Sequence, residues 1–127
     1  MTTTLPSAEL VVIVDDDPFV LAATSSLVRS LGWEASTFGS AAAFLGSEAP
    51  ARASCLVCDV QMDGMDGIEL LAHLRAGGWR VPTLIITAGV TDRVVEQASA
   101  HGALCVIEKP IDAEEIERWI TYALTSP

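Results

Sequence analysis

Four apolar runs in this sequence each end on a side chain able to do chemistry. Val11-Val12-Ile13-Val14 stops at Asp15-Asp16, Leu56-Val57-Cys58 at Asp59, Leu84-Ile85-Ile86 at Thr87, and Val106-Ile107 at Glu108 and Lys109. Lys109 is the only lysine in the chain. Short runs rich in Val and Ile, separated by helical patterns, read as buried parallel strands. Open sheets of that kind bind ligands at the carboxyl ends of their strands. Asp15, Asp16, Asp59, Thr87 and Lys109 are therefore expected on one rim. Carboxylates crowded together repel, so one must take up a proton or a cation must join them. A hard divalent ion with oxygen ligands resolves this, and Mg²⁺ does so while keeping several waters. Asp59 is the candidate nucleophile, because a carboxylate can attack phosphorus and form an acyl phosphate. Mg²⁺ would take one phosphoryl oxygen, Lys109 a second and the Thr87 hydroxyl a third. Asp17 is read only as a helix cap.

The elements that must position these groups follow from periodicity and punctuation. The first strand is expected from about Glu9 to Val14. A helix follows Asp17, with Pro18 at its first position, where a missing N–H costs nothing. Its apolar side carries Val20, Leu27, Val28 and Leu31, and Gly32 ends it. A second strand covers Glu34 to Thr37, and Ser40 caps a helix through Phe44 and Leu45. The third strand runs from about Ser54 to Cys58. Asp66 and Glu69 form a capping box for a helix carrying Ile68, Leu71, Leu74 and Arg75, which Gly77-Gly78 terminates. Pro82 precedes a fourth strand, Thr83 to Ile86. A helix from about Asp92 to Ala100 ends at Gly102, and Ala103 to Ile107 is the fifth strand. In the last helix Asp112 and Glu115 read as another cap pair, and Ile116, Trp119, Ile120, Ala123 and Leu124 follow a helical period. Alternating strands and helices predict an α/β fold, a doubly wound five-stranded parallel sheet with helices on both faces. The first eight residues and the last two or three are expected as loose ends.

Composition bounds the rest. The 127 residues suit one domain, 1–127, with a core of about 9–125, and half of them are hydrophobic. The formal net charge of -10 argues against binding of nucleic acid or an anionic membrane through this domain. No stretch approaches a transmembrane helix, and Met1-Thr2-Thr3-Thr4 lacks the basic and apolar parts of a signal peptide, so a cytoplasmic location is expected. Three cysteines fit a reducing compartment. Cys55 and Cys58 have C-x-x-C spacing, but an odd separation in a strand sends them to opposite faces, so both read as core residues.

The acid pair Asp15-Asp16, Asp59, the loop Met62-x-x-Met65-Asp66-Gly67, Thr87-Ala88 and Lys109-Pro110 stand in an order and at spacings that resemble the receiver domain of bacterial two-component response regulators. The likeness covers nearly the whole chain. It implies a flavodoxin-like strand order of 2-1-3-4-5. It implies that Asp59 accepts phosphate from a sensor histidine kinase or phosphotransfer protein, and that the domain catalyses its own phosphorylation and dephosphorylation without being an enzyme. Asp15, Asp16 and Asp59 would bind Mg²⁺, with Asp16 and Asp59 as direct ligands and the backbone carbonyl of Gln61 as a further one. Thr87 would move towards the phosphoryl group and Lys109 would pair with it. The face of the fourth and fifth predicted helices, Asp92 to Ala100 and the C-terminal one, would be the surface for a homodimer or partner. The segment from Phe38-Gly39-Ser40 to Phe44-Leu45 resembles receivers of LuxR-type regulators.

The chain departs from that pattern at several positions. Asp63 replaces the usual proline after the loop methionine. Val106 stands where the family carries its aromatic switch residue, and Ile111 where an aromatic often follows Lys-Pro. Gly89, two residues past Thr87, leaves the rim open to small phosphodonors or water. Two other functions stay in view. A phosphatase of the haloacid-dehalogenase type shares the chemistry, but needs a second acid two residues after the nucleophile, where Gln61 stands. A pseudo-receiver would bind partners without phosphorylation, against which the intact set of five groups argues.

Overall fold

The computed structural model describes residues 9–125; the expected loose ends at 1–8 and 126–127 lie outside the described residues. Five parallel strands form the sheet: β1 (Leu10–Val14), β2 (Glu34–Phe38), β3 (Cys55–Asp59), β4 (Thr83–Thr87) and β5 (Cys105–Glu108), in the order β2-β1-β3-β4-β5. The helices are α1 (Pro18–Ser30), α2 (Ala41–Leu45), α3 (Ala49–Arg52), α4 (Gly67–Ala76), α5 (Asp92–Ala100) and α6 (Ala113–Thr125). The alternation of side chains along each strand divides the core in two. Val11, Ile13, Val57, Leu84, Ile86 and Ile107 pack with Val28 of α1 and Ile116, Ile120 and Ala123 of α6. Val12, Val14, Leu56, Cys58 and Ile85 pack on the other face with Phe44, Leu70, Leu71, Leu74 and Ala98. The three central strands β1, β3 and β4 are buried at every position, which is why they read as continuous apolar runs rather than alternating ones.

Local signals set the boundaries. Asp17 Oδ1 accepts the Phe19 N–H at 2.9 Å and starts α1. Ser40 caps α2 through Ala43 N–H. Asp66 and Glu69 close the expected capping box in both directions, at 2.8 and 3.0 Å. The corresponding pair before α6 does not form. Asp112 Oδ1 instead accepts the Glu114 N–H at 3.2 Å, so the cap is made one residue earlier. The helix α3 was not expected: it is 4 residues long, carries Pro50 in its first turn and has no side-chain cap, so neither periodicity nor a cap announces it. β5 opens at Cys105 rather than Ala103, because the Ala103 N–H closes α5 on the Ala98 carbonyl at 2.9 Å. β3 and β4 each run one residue further than expected and take in Asp59 and Thr87 themselves.

Cys55 and Cys58 lie in the two different core layers, as their spacing predicts. Burial, then repulsion from Cys105, pushes the Cys55 thiol up to about 12. Burial, with Asp59 and Asp15 nearby, pushes Cys58 up as well. A rise from 9.0 to about 12 at Cys55 lowers the thiolate fraction about a thousandfold at neutral pH. In the native protein at pH 8, Cys55 and Cys58 are therefore expected to resist a disulfide-exchange reagent that labels all three cysteines after denaturation. Prompt labelling of Cys58 before unfolding would contradict the burial assigned to it. Among the described residues no helix is long and apolar enough to cross a membrane.

An acidic pocket at the carboxyl ends of the strands

Parallel register sets the rim. Val14 lies beside Cys58, Asp59 beside Ile86, and Thr87 beside Glu108, so the chain leaves β1, β3, β4 and β5 at neighbouring points. Asp15 follows β1 with its N–H on the Phe38 carbonyl at 3.1 Å. Its Oδ1 accepts the Asp17 N–H at 2.9 Å, which turns the chain into α1 and leaves Oδ2 aimed into the pocket. Asp16 is exposed, while Asp15 and Asp59 are 1% and 2% exposed. Carboxylate oxygens of Asp15, Asp16 and Asp59 all come within 4.8 Å of one another.

Lys109 is drawn in by its backbone, whose N–H bonds the Thr87 carbonyl at 2.8 Å. Its Nζ donates to Asp59 Oδ2 at 3.1 Å and lies 3.0 Å from Asp15 Oδ2. The second contact is one of charge only: Asp15 Oδ2 is buried and accepts no hydrogen bond. Burial raises the Asp59 pKa above the usual carboxylate range, and repulsion from Asp15 adds to it; the Lys109 bond, its charge and the Gln61 N–H offset part of the rise. For Lys109 burial pulls downward, but contact with Asp15 and Asp59 outweighs it and the net shift is upward.

One ammonium among three carboxylates leaves the pocket short of positive charge. That buried Asp15 oxygen, paired with Lys109 by charge but without a hydrogen bond, and an all-oxygen donor set fit a hard divalent cation. Thus Asp15, Asp16, Asp59 and Lys109, all expected on the rim, come together. Thr87 is there too, buried at the end of β4, but its hydroxyl is turned onto its own loop: Oγ1 accepts the Gly89 N–H and donates to the Gly89 carbonyl, both at 3.2 Å. Gln61 bonds Asp59 Oδ1 through its N–H at 3.3 Å. Its side-chain Oε1 also accepts the Ala88 N–H at 3.4 Å, a contact that sequence spacing does not reveal.

Gly67, the last residue of the Met62-x-x-Met65-Asp66-Gly67 loop, has a packing role that the motif does not state. It begins α4 with its N–H on the Val60 carbonyl at 3.0 Å, and a Cβ there would collide with the Asp59 carbonyl group. Its signals in the sequence are a glycine directly after a capping aspartate and its place in that loop. Val106, at the expected switch position, is partly buried against the α4/α5 core layer. Beside Lys109 a shallow apolar groove of about 520 Å³ is lined by Phe19, Val20, Ala23, Pro110 and Ile111, and Phe19 is 84% exposed.

A sequence profile described as "Response regulator receiver domain" matches residues 11–121. The response regulator protein TodT of Pseudomonas putida is 35% identical over 117 residues, covering 92% of this chain and 52% of TodT. The transcriptional regulatory protein FixJ of Azorhizobium caulinodans is 34% identical over 108 residues, covering 85% of this chain and 51% of FixJ. The chain thus spans about half the length of the curated relatives it matches. The crystal structure of FixJ-N superimposes with a TM-score of 0.84 at 32% identity, covering 94% of this chain and 95% of that one. The Vibrio cholerae chemotaxis protein CheY4 gives a TM-score of 0.86 at 23% identity, covering 93% and 100% of the two chains, a likeness of fold. A profile that runs from β1 into α6, with relatives above 30% identity over most of this chain, assigns the chain to its family: it belongs to the response regulator receiver domains.

Proposed function

We propose that the chain is the phosphoacceptor of a two-component system, taking a phosphoryl group on Asp59 from a phosphohistidine of a sensor histidine kinase or phosphotransfer protein. The observation that carries this reading is the Asp59 carboxylate: nearly buried, held by Lys109 at 3.1 Å, and crowded by Asp15 and Asp16. An Asp59 oxygen attacks phosphorus, an O–P bond forms as the P–N bond to the donor imidazole breaks, and the departing nitrogen keeps the electron pair. Lys109 shifts from the carboxylate to a phosphoryl oxygen, and Thr87 turns its hydroxyl from Gly89 to another. Asp15, Asp16, Asp59 and the Gln61 backbone carbonyl would hold Mg²⁺, which when bound neutralises charge on the phosphoryl oxygens. Attack of water on the acyl phosphate releases inorganic phosphate and restores Asp59, so both steps are the domain's own. The carboxamide of Gln61, where a phosphatase would need its acid, supports a carrier rather than an enzyme that turns over substrate.

The partners follow from the surface. The groove of Phe19, Pro110 and Ile111 beside Lys109 offers a donor protein an apolar footing. On the α5/α6 side, Val95 and Tyr122 are 42% and 54% exposed, and this face is the proposed homodimer or partner surface. With Val106 in place of an aromatic, output would run through Thr87 and the loop that follows it. Residues 9–125 would act as one domain in the cytoplasm, with no nucleic acid or membrane bound by this domain itself. The test is intact mass after incubation with Mg²⁺ and acetyl phosphate. One added phosphoryl group is expected, absent with a chelator and absent in Asp59→Asn. No adduct from acetyl phosphate or a phosphorylated kinase, or an undiminished adduct in Asp59→Asn, would sink the proposal.

A further inference from the structure

The side chain of Gln61 has no part in the proposed metal site, which uses only its carbonyl, yet it makes a specific contact across the rim. Its N–H is bound to Asp59 Oδ1 at 3.3 Å and its Oε1 accepts the Ala88 N–H at 3.4 Å. One residue therefore ties the nucleophile at the end of β3 to the loop at the end of β4. The neighbouring donor is also engaged: the Thr87 hydroxyl is spent on Gly89. The Thr87 hydroxyl and the Ala88 N–H, two hydrogen-bond donors at the end of β4, are thus both held by internal acceptors. Lys109 faces the carboxylates instead.

We infer that Gln61 is a positioning residue that latches the Thr87–Gly89 loop in the unphosphorylated state, its carboxamide standing in for a phosphoryl oxygen at the Ala88 N–H. This rests on the phosphoacceptor reading above. The arrangement has a direct consequence. A phosphoryl group arriving on Asp59 competes with Oε1 for the same N–H, and an oxygen of a charged phosphoryl group is a stronger acceptor than a neutral carboxamide. Release of Gln61 and rotation of Thr87 then become one event, which frees the loop that leads into α5. The latch raises the barrier to phosphorylation by the worth of one ordinary hydrogen bond and holds the loop at rest without phosphate.

Gln61 is exposed, so its replacement leaves the core intact. In Gln61→Ala and Gln61→Leu the Ala88 amide is expected to lose protection in hydrogen exchange measured by NMR, without any phosphodonor present. Both variants should take phosphate from acetyl phosphate faster, by about two- to tenfold, the range one ordinary hydrogen bond accounts for. Gln61→Glu keeps an acceptor at the same reach and is expected to retain the protection. Unchanged Ala88 exchange in both the alanine and leucine variants overturns the latch, as does slower phosphorylation in them. The exchange experiment needs no adduct, so a wild-type protein that never accepts phosphate would defeat the phosphoacceptor reading and leave the latch to be judged on exchange alone.

Discussion

Lys109→Met is expected to cost about 2–4 kcal/mol of folding stability at neutral pH without divalent cation, and to slow phosphorylation of Asp59 about a hundredfold or more. The stability figure sits below that for a fully buried pair because the Lys109 side chain keeps 21% of its exposure. The cause is the pair it leaves behind. Asp15 and Asp59 are almost wholly buried, and their nearest cation is Lys109. Asp59 already lies above the usual carboxylate range through burial and through Asp15, and loss of Lys109 removes the main opposing influence. A carboxylate raised in the folded state holds its proton there to higher pH than in the unfolded chain. Its favourable contribution is complete below the unfolded value of 3.8 and is lost as pH rises through the folded one. The deficit of the variant should therefore be greatest at neutral pH and shrink on acidification. Lys109 itself behaves in the alkaline range: its raised pKa gives stability present below 10.5 and lost as pH climbs through the folded value. Urea unfolding at pH 5 and pH 7.5, with chelator or with Mg²⁺, reads these expectations. Equal deficits at the two pH values would show that Lys109 acts by packing rather than by charge, and Mg²⁺ should recover part of the loss at pH 7.5.

The second large effect belongs to a residue with no chemistry of its own. Gly67→Ala is expected to cost about 3 kcal/mol or more and to impair phosphorylation in whatever folded fraction remains. The added Cβ would overlap the Asp59 carbonyl oxygen, sit 2.8 Å from the Asp59 carbonyl carbon and 3.1 Å from Val60 Cα. These are backbone atoms of β3 and cannot swing aside, so α4 must lift from the sheet or β3 must shift and carry Asp59 with it. The demand is for space, since Gly67 is not among the glycines with positive φ. Gly39→Ala is the control: a Cβ there meets nothing within 4 Å, and its stability should stay within about 0.5 kcal/mol of the parent. Chemical denaturation of the two variants side by side decides the matter, and a Gly67→Ala protein as stable as Gly39→Ala would remove the proposed contact.

Much of the rim is legible along the chain because parallel strands convert sequence order into spatial adjacency. A run such as Val11–Val14, buried on both faces, can only be a central strand, and whatever follows it must emerge at the carboxyl edge. Asp15, Asp59 and Lys109 are found by that rule alone. Local chemistry is legible too: the Asp66–Glu69 box and the Asp17 and Ser40 caps form as their spacing predicts. The same pattern fails for Asp112 and Glu115, where the Glu114 N–H takes the side chain. The Asp112 carboxylate there takes one first-turn N–H rather than the next, a choice that residue type and spacing do not make. α3 is too short for any period to register.

The fold class and the groups that meet at the rim can be read along the chain, and the strand order follows from the family likeness. The first two are matters of hydrophobic period and residue type, encoded within a few neighbouring positions. The direction in which those groups face emerges only in the folded molecule. Folding turned Thr87 onto Gly89, set Lys109 between Asp15 and Asp59 while leaving Asp15 Oδ2 without a donor, carried Gln61 across to Ala88, and pressed Gly67 onto the backbone of Asp59. Each is a contact between residues brought together by the sheet. Its direction is the outcome of competition among packing, hydrogen bonding and charge, and no single segment of the chain carries that information.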